Sequence, residues 1–239
     1  ENIPEESLFS WDQMELLWDL VHGLEFKKLF EQVQNRFPDQ GQIHLLQSKL
    51  FIEEKNLDSA CVKIRLGAVD ERVSPEVLGQ LAIHAMELVK SKEDWEKAHA
   101  MVLDLIHIFP DEARFLALEG DLWISISKFQ EAQTKYLQAA RMGNPKFEVW
   151  ARIVQLDFEL NAIDSAFAHG EEALKFFPKQ GFLNFQMGFA SYLKGDPTQS
   201  IRYLEIARGI IKPSENWNTQ LYSACHDHHH FLCSMPKFH

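Results

Sequence analysis

Apolar residues fall three and four apart along most of this chain, in blocks separated by short polar turns. From Ala113 to Lys212 the blocks recur in step. Ala132, Ala166 and Ser200 lie 34 residues apart, as do Ala139, Ala173 and Ala207, while Gly120 and Gly188, like Pro110 and Pro178, are separated by two such intervals. That spacing predicts pairs of amphipathic helices repeated as one unit, with small residues where backbones approach and large ones filling the layers between them. No stretch alternates apolar and polar residues in the manner of a half-buried strand, so the expected fold is all-α.

The internal grammar of each unit follows from its punctuation. First helices end near Ile126, Leu160 and Lys194, and the turns Ser127-Lys128, Asn161-Ala162 and Gly195-Asp196 lead into second helices. Asp196-Pro197 reads as an acid cap followed by proline at the first helical position. Units are expected to start at 7, 41, 79, 113, 147 and 181. The step from 41 to 79 is four residues too long, and the sequence places the excess between Asp70 and Pro75, next to the Ser74-Pro75-Glu76 cap. A kink or subdomain boundary is expected there. The first two units are marked more faintly, by Leu16, Leu17, Leu20 and Val21, by Phe26, Leu29, Phe30 and Val33, and by Ile43, Leu46, Leu50 and Phe51.

Residues 113–144 carry Gly120, Trp123, Phe129, Ala132, Tyr136 and Ala139. Residues 147–178 carry Trp150, Ala166, Ala173 and Pro178, and residues 181–212 carry Gly188, Gly195-Asp196, Tyr203 and Ala207. In these residues the chain resembles the tetratricopeptide repeat (TPR) family, strongly over 79–212 and faintly over 7–74. The resemblance implies an all-α, right-handed superhelix of about six helical hairpins plus a C-terminal capping helix. Residues 1–74 would form degenerate hairpins, 75–214 four repeats, and 215–239 a half-repeat or capping helix with a His-rich tail. It also implies a protein-interaction scaffold that holds a peptide or protein partner in a concave groove lined by first helices.

Carried over position by position, the family's groove places fall here on Arg114 and Asp121, on Gln155 and Phe158, and on Phe182, Phe185, Phe189 and Tyr192. The places that hold a Lys/Asn/Arg clamp for a C-terminal carboxylate in chaperone-binding members hold Ala, Asp, Gln and Phe here, so no carboxylate clamp is expected. The C-terminal aromatics have two readings: they anchor a partner, or they pack against the next unit as core. On the first, replacing Phe185 and Phe189 with Ala weakens partner capture and leaves helical circular dichroism intact; on the second, the variant unfolds. Trp11 and Trp18 carry the same pair of readings. The drifting repeats resemble those of long bacterial TPR lipoproteins, which favours the cell envelope or periplasm over the cytoplasm. The same likeness supplies an alternative role as a structural segment of a longer envelope-associated protein.

Composition narrows the partner. The net charge is -11 with no Lys/Arg block, which argues against nucleic acid. No apolar run is long enough for a transmembrane segment. Three cysteines (Cys61, Cys225, Cys233) and no CxxC pair leave the compartment open. In the tail, Cys225, His229 and Cys233 share one face if helical, yet they would spread over about 12 Å of axial rise, too far for one tetrahedral zinc. No metal site is expected. His84, His99, His107 and His169 stand singly, and the nucleotide, metalloprotease and nucleophile-elbow motifs are absent, so neither a catalytic residue nor a cofactor is expected.

Overall fold

The computed structural model describes Asn35 and residues 40–143 and 146–210. Trp11, Trp18 and the expected hairpin before Gly41 lie outside the described residues, as does the tail with Cys225, His229 and Cys233. Ten α-helices and no strand occur among the described residues. They are α1 (Gly41–Glu53), α2 (Leu57–Ala68), α3 (Pro75–Met86), α4 (Lys92–Ile108), α5 (Ala113–Ser125), α6 (Phe129–Ala140), α7 (Phe147–Glu159), α8 (Ile163–Phe176), α9 (Gly181–Leu193) and α10 (Pro197–Ile210). Successive pairs form five hairpins. The first three belong to one compact unit that ends at Asn144, and the last two to a second unit that starts at Pro145.

The hairpin turns are set by local chemistry. Four of them are three residues long, and the middle residue of each takes the left-handed conformation: Lys55 (φ 57°), Ser127 (φ 59°), Asn161 (φ 55°) and Gly195 (φ 77°). Second helices then begin on side-chain caps where the sequence offers them. Asn56 Oδ1 accepts from Ser59 N at 3.1 Å, and Asp196 Oδ1 from Gln199 N at 3.0 Å. Each such cap is worth about 1 kcal/mol.

The turn of the second hairpin differs. It spans five residues, 87–91, and contains no positive-φ residue. Ser91 Oγ accepts from Asp94 N at 3.1 Å while Asp94 Oδ2 accepts from Ser91 N at 3.0 Å and from Lys90 N at 3.2 Å. This reciprocal box starts α4 one turn early and makes it the longest helix described, at 17 residues.

That turn relocates the expected slip in register. The second hairpin begins at Pro75, 34 residues after Gly41, because Ser74 caps Val77 N and Pro75 occupies the first helical position. Gly79 lies inside α3 and is buried. The small residue of that first helix is Ala82, fully buried, in step with Ser48 and Gly120. The four extra residues therefore enter within the hairpin, between Met86 and Trp95, and not between Asp70 and Pro75. Asp70 to Ser74 lies inside the first unit, where α2 packs on both α3 and α4. Because the turn is longer, α4 leans mainly on α2 and α5 and only lightly on its own partner α3.

Small residues of the second helices do what their spacing predicts. Ala60, Ala98, Ala132, Ala166 and Ser200 are buried, as are Ala139, Ala173 and Ala207. A larger side chain at such a place forces strain of roughly 1–3 kcal/mol. Around them in the first unit lies one continuous core that includes Leu45, Ile64, Leu78, Met101, Leu105 and Phe115.

A long-range contact closes the first hairpin on itself. Asp70 Oδ2 accepts from Gly41 N at 2.8 Å, at the start of α1, and its other oxygen accepts from Arg72 N and Nε at 3.0 and 2.8 Å. Gly41 is required because a Cβ there would lie 2.4 Å from Asp70 Cβ. The Arg72 guanidinium, with the backbone N–H donors of Gly41 and Arg72, holds the Asp70 carboxyl well below the usual carboxylate range. A depressed folded-state pKa contributes stability above the unfolded value of about 4, and loses it as pH falls toward the folded one. Asp70→Asn is expected to cost about 1 kcal/mol at pH 7, the modest figure reflecting a half-exposed Arg72. Urea titrations at pH 7, 4 and 3 should show the gap between wild type and variant narrowing in the two acid samples.

Candidate functional site

The eight residues expected to line a groove fall in both units. In the first, Arg114 stands at the start of α5, half-buried over α3, with Nε donating to Glu112 Oε2 at 2.9 Å and Nη1 3.7 Å from Glu76. Asp121, two turns on, accepts from Tyr136 Oη at 2.5 Å. Next to it Glu119 is 3% exposed, with Lys135 Nζ 3.0 Å from Oε2 and with His99 Nε2 and Trp123 Nε1 at 3.3 and 3.4 Å from Oε1. The indoles of Trp95 and Trp123 and the His99 ring pack together over this carboxylate. A buried charge of this kind is tolerable only with its cation in place.

In the second unit, Gln155 Oε1 accepts from Arg152 Nη1 at 3.2 Å. Phe158, near the end of α7, meets Phe189 of α9 with ring centroids 5.3 Å apart, so two expected groove places on neighbouring first helices touch. Phe185 and Phe189 are buried, at 8% and 9% exposure; Phe182 is half-buried; Tyr192 is 47% exposed, and so is Leu193 beside it. Helix α9 packs against both α8 and α10, which explains why nearly all of it from Gly181 to Ser191 is covered. Two of its buried polar side chains bond within the helix and its cap, Asn184 Nδ2 donating to Gln180 O at 2.9 Å and Ser191 Oγ to Met187 O at 2.8 Å, whereas the buried Gln186 Oε1 has no partner.

The register of the second hairpin places two further side chains at groove positions. With α3 starting at Pro75, groove places nine and twelve fall on Ile83, 46% exposed, and on Met86. The box Ser91-x-x-Asp94 was the available signal, since it marks a helix start three residues ahead of Trp95. Among the described residues no group of three or more His, Cys, Asp or Glu could hold a metal ion. No helix among them is long and apolar enough to cross a membrane.

Hairpins recurring at a step of 34, with small buried residues in fixed places and exposed side chains at the ends of first helices, define a TPR-type helical repeat fold. Solved structures agree. A crystal structure of MamA protein superimposes with a TM-score of 0.55 at 14% identity, covering 76% of this chain and 94% of that one. A structure titled for the functional characterization of Pseudomonas aeruginosa pilF gives 0.54 at 13% identity, over 84% and 88%. MamA from Desulfovibrio magneticus, residue 41 to the end, gives 0.53 at 13%, over 72% and 95%. At such identities the likeness is one of fold. No protein-family model and no curated protein matches the sequence.

Proposed function

We propose that this chain is a protein-interaction scaffold that holds a peptide or protein partner along the exposed side of its first helices. The observation that carries the reading is the large apolar side chains left open on first helices: Tyr192 with Leu193 on α9 in the second unit, and separately Ile83 on α3 in the first. Aromatic side chains are the usual anchors of protein partners. Phe158 near the end of α7 and Phe182 at the start of α9, both half-buried, belong to the same set of first-helix places in the second unit. Arg114, Asp121 and Gln155 supply polar selectivity. An envelope or periplasmic setting belongs to the same proposal and rests on the likeness of the drifting repeats to bacterial envelope proteins.

Affinity capture from lysate, comparing the intact chain with a Tyr192→Ala/Leu193→Ala variant, tests it. Both side chains are about half exposed, so the variant should keep its helical circular dichroism. The expected result is a specific partner retained by wild type and reduced at least about tenfold by the variant, the loss typical of a truncated anchor. A partner retained equally by both proteins contradicts the assignment of these residues.

A further inference from the structure

The second unit buries one carboxylate completely. Asp157, in the last turn of α7, is 0% exposed, and Nδ1 of His169 on α8 lies 2.7 Å from its Oδ2. The fourth hairpin differs from the other four in this pair. The place that Asp157 takes in its first helix holds Phe51, Ala85, Trp123 and Ser191 in the others, and the place of His169 in its second helix holds Lys63, Met101, Lys135 and Tyr203. A carboxylate taken out of water is costly as a bare anion and tolerable beside a cation that donates to it.

The described helices around the ring leave that role to His169. From α7 the facing group is Asp157, while Arg152 bonds Gln155, and Glu148 and Glu159 are exposed. Helix α9, also packed on α8, carries no acid, base or histidine from Gly181 to Leu193, and its one ionisable side chain, Tyr192, lies in its last turn. Along α8 itself, Asp164 pairs with Lys194, and Glu171 acts on Tyr203 of α10. Lys175 is exposed, as is Glu172, one turn after His169 and of the sign that favours a protonated ring.

We propose that Asp157 holds a second proton on the His169 ring, forming a clasp that makes the second unit firmer at mildly acidic than at mildly alkaline pH. A histidine in an unfolded chain releases that proton near pH 6.5, at about the free value. Below this, folded and unfolded chains both carry it, and the clasp contributes its full stability. Above it the unfolded chain has lost the proton and the folded one keeps it. Rising pH then favours unfolding, by up to about tenfold in the unfolding constant per pH unit, until the folded ring lets go as well. The clasp holds the unit that carries Tyr192 and Leu193, and does so with or without a partner.

Hydrogen exchange of the full chain at pH 6, 7 and 8, with each rate divided by the intrinsic rate at that pH, gives opening constants for residues 146–210. His169 is the one histidine in that range, so no other imidazole contributes there. From pH 7 to 8 the constant should rise about fivefold or more in wild type, and stay level in His169→Gln, whose amide still donates to Asp157. A level wild type, or a variant that rises as steeply, overturns the clasp. NMR titration of the His169 ring in wild type is the second measurement. The ring should keep its proton to a higher pH than histidine in a short peptide. Release at or below the peptide value overturns the clasp, and this reading decides alone if His169→Gln does not fold.

Discussion

Phe185→Ala/Phe189→Ala is expected to unfold the second unit, and not to yield a folded protein with a weakened groove. Both rings are at least nine-tenths buried, and Phe189 packs on Phe158 of the neighbouring first helix. Truncating a buried phenylalanine costs 3–5 kcal/mol, so the pair removes roughly 6 kcal/mol even at the low end. Whole domains are stable by about 5–15 kcal/mol, and a two-hairpin unit has little reserve. Hydrogen exchange read by mass spectrometry should show residues 146–210 losing protection while 40–143 keep theirs. A variant that retains wild-type protection throughout would mean that the rings contribute little to the fold.

Gly120→Val is the second large effect. Gly120 lies on α5 against Tyr136 of α6, and a Cβ built there would sit 2.6 Å from one ring carbon and 2.8 Å from the next. The ring cannot move aside cheaply, since it is 3% exposed and its hydroxyl is committed to Asp121. Alanine would recover about 1 kcal/mol of helix propensity against this clash, but valine adds two further carbons and β-branching. We expect Gly120→Val to lose about 3 kcal/mol, the upper end of overpacking, in urea denaturation. Tyr136→Leu in the same background should restore part of it. A Gly120→Val variant as stable as wild type would contradict the close packing of α5 on α6.

Much of this architecture was legible in the residues. Small side chains at fixed intervals report backbone proximity directly, which is why Ala132, Ala166 and Ser200 were read correctly as contact points. The Ser74-Pro75 and Asp196-Pro197 starts were legible for a similar reason: a cap is local chemistry and needs no tertiary context. The slip in register was not placed correctly. Counting from Gly79 keeps the second helix in step, because Ala98 and Leu105 hold the same places as Ala132 and Ala139, but it misplaces the first helix by one turn. Periodicity measures a total length between small residues and cannot say on which side of a turn extra residues enter. The Ser91/Asp94 box could.

The aromatics of α9 show a different limit. A repeat position states which face of a helix a side chain occupies, whereas burial depends on what covers that face. Gly181 to Leu193 contains no charged residue, and a helix apolar all round is a covered helix. That feature, taken over the whole element, marks Phe185 and Phe189 as covered where groove position does not. Tyr192 and Leu193 lie in the last turn of the same helix and are each 47% exposed.

Hydroxyl-radical footprinting of the chain with and without its captured partner tests the central claim most directly, because it reads side-chain exposure residue by residue. The scaffold account predicts that oxidation of Tyr192 and Leu193 on a first helix falls in the complex, while Phe176 and Ile201 on second helices, 53% and 46% exposed in the free chain, react as before. Shielding of Phe176 and Ile201 with Tyr192 unchanged would contradict it.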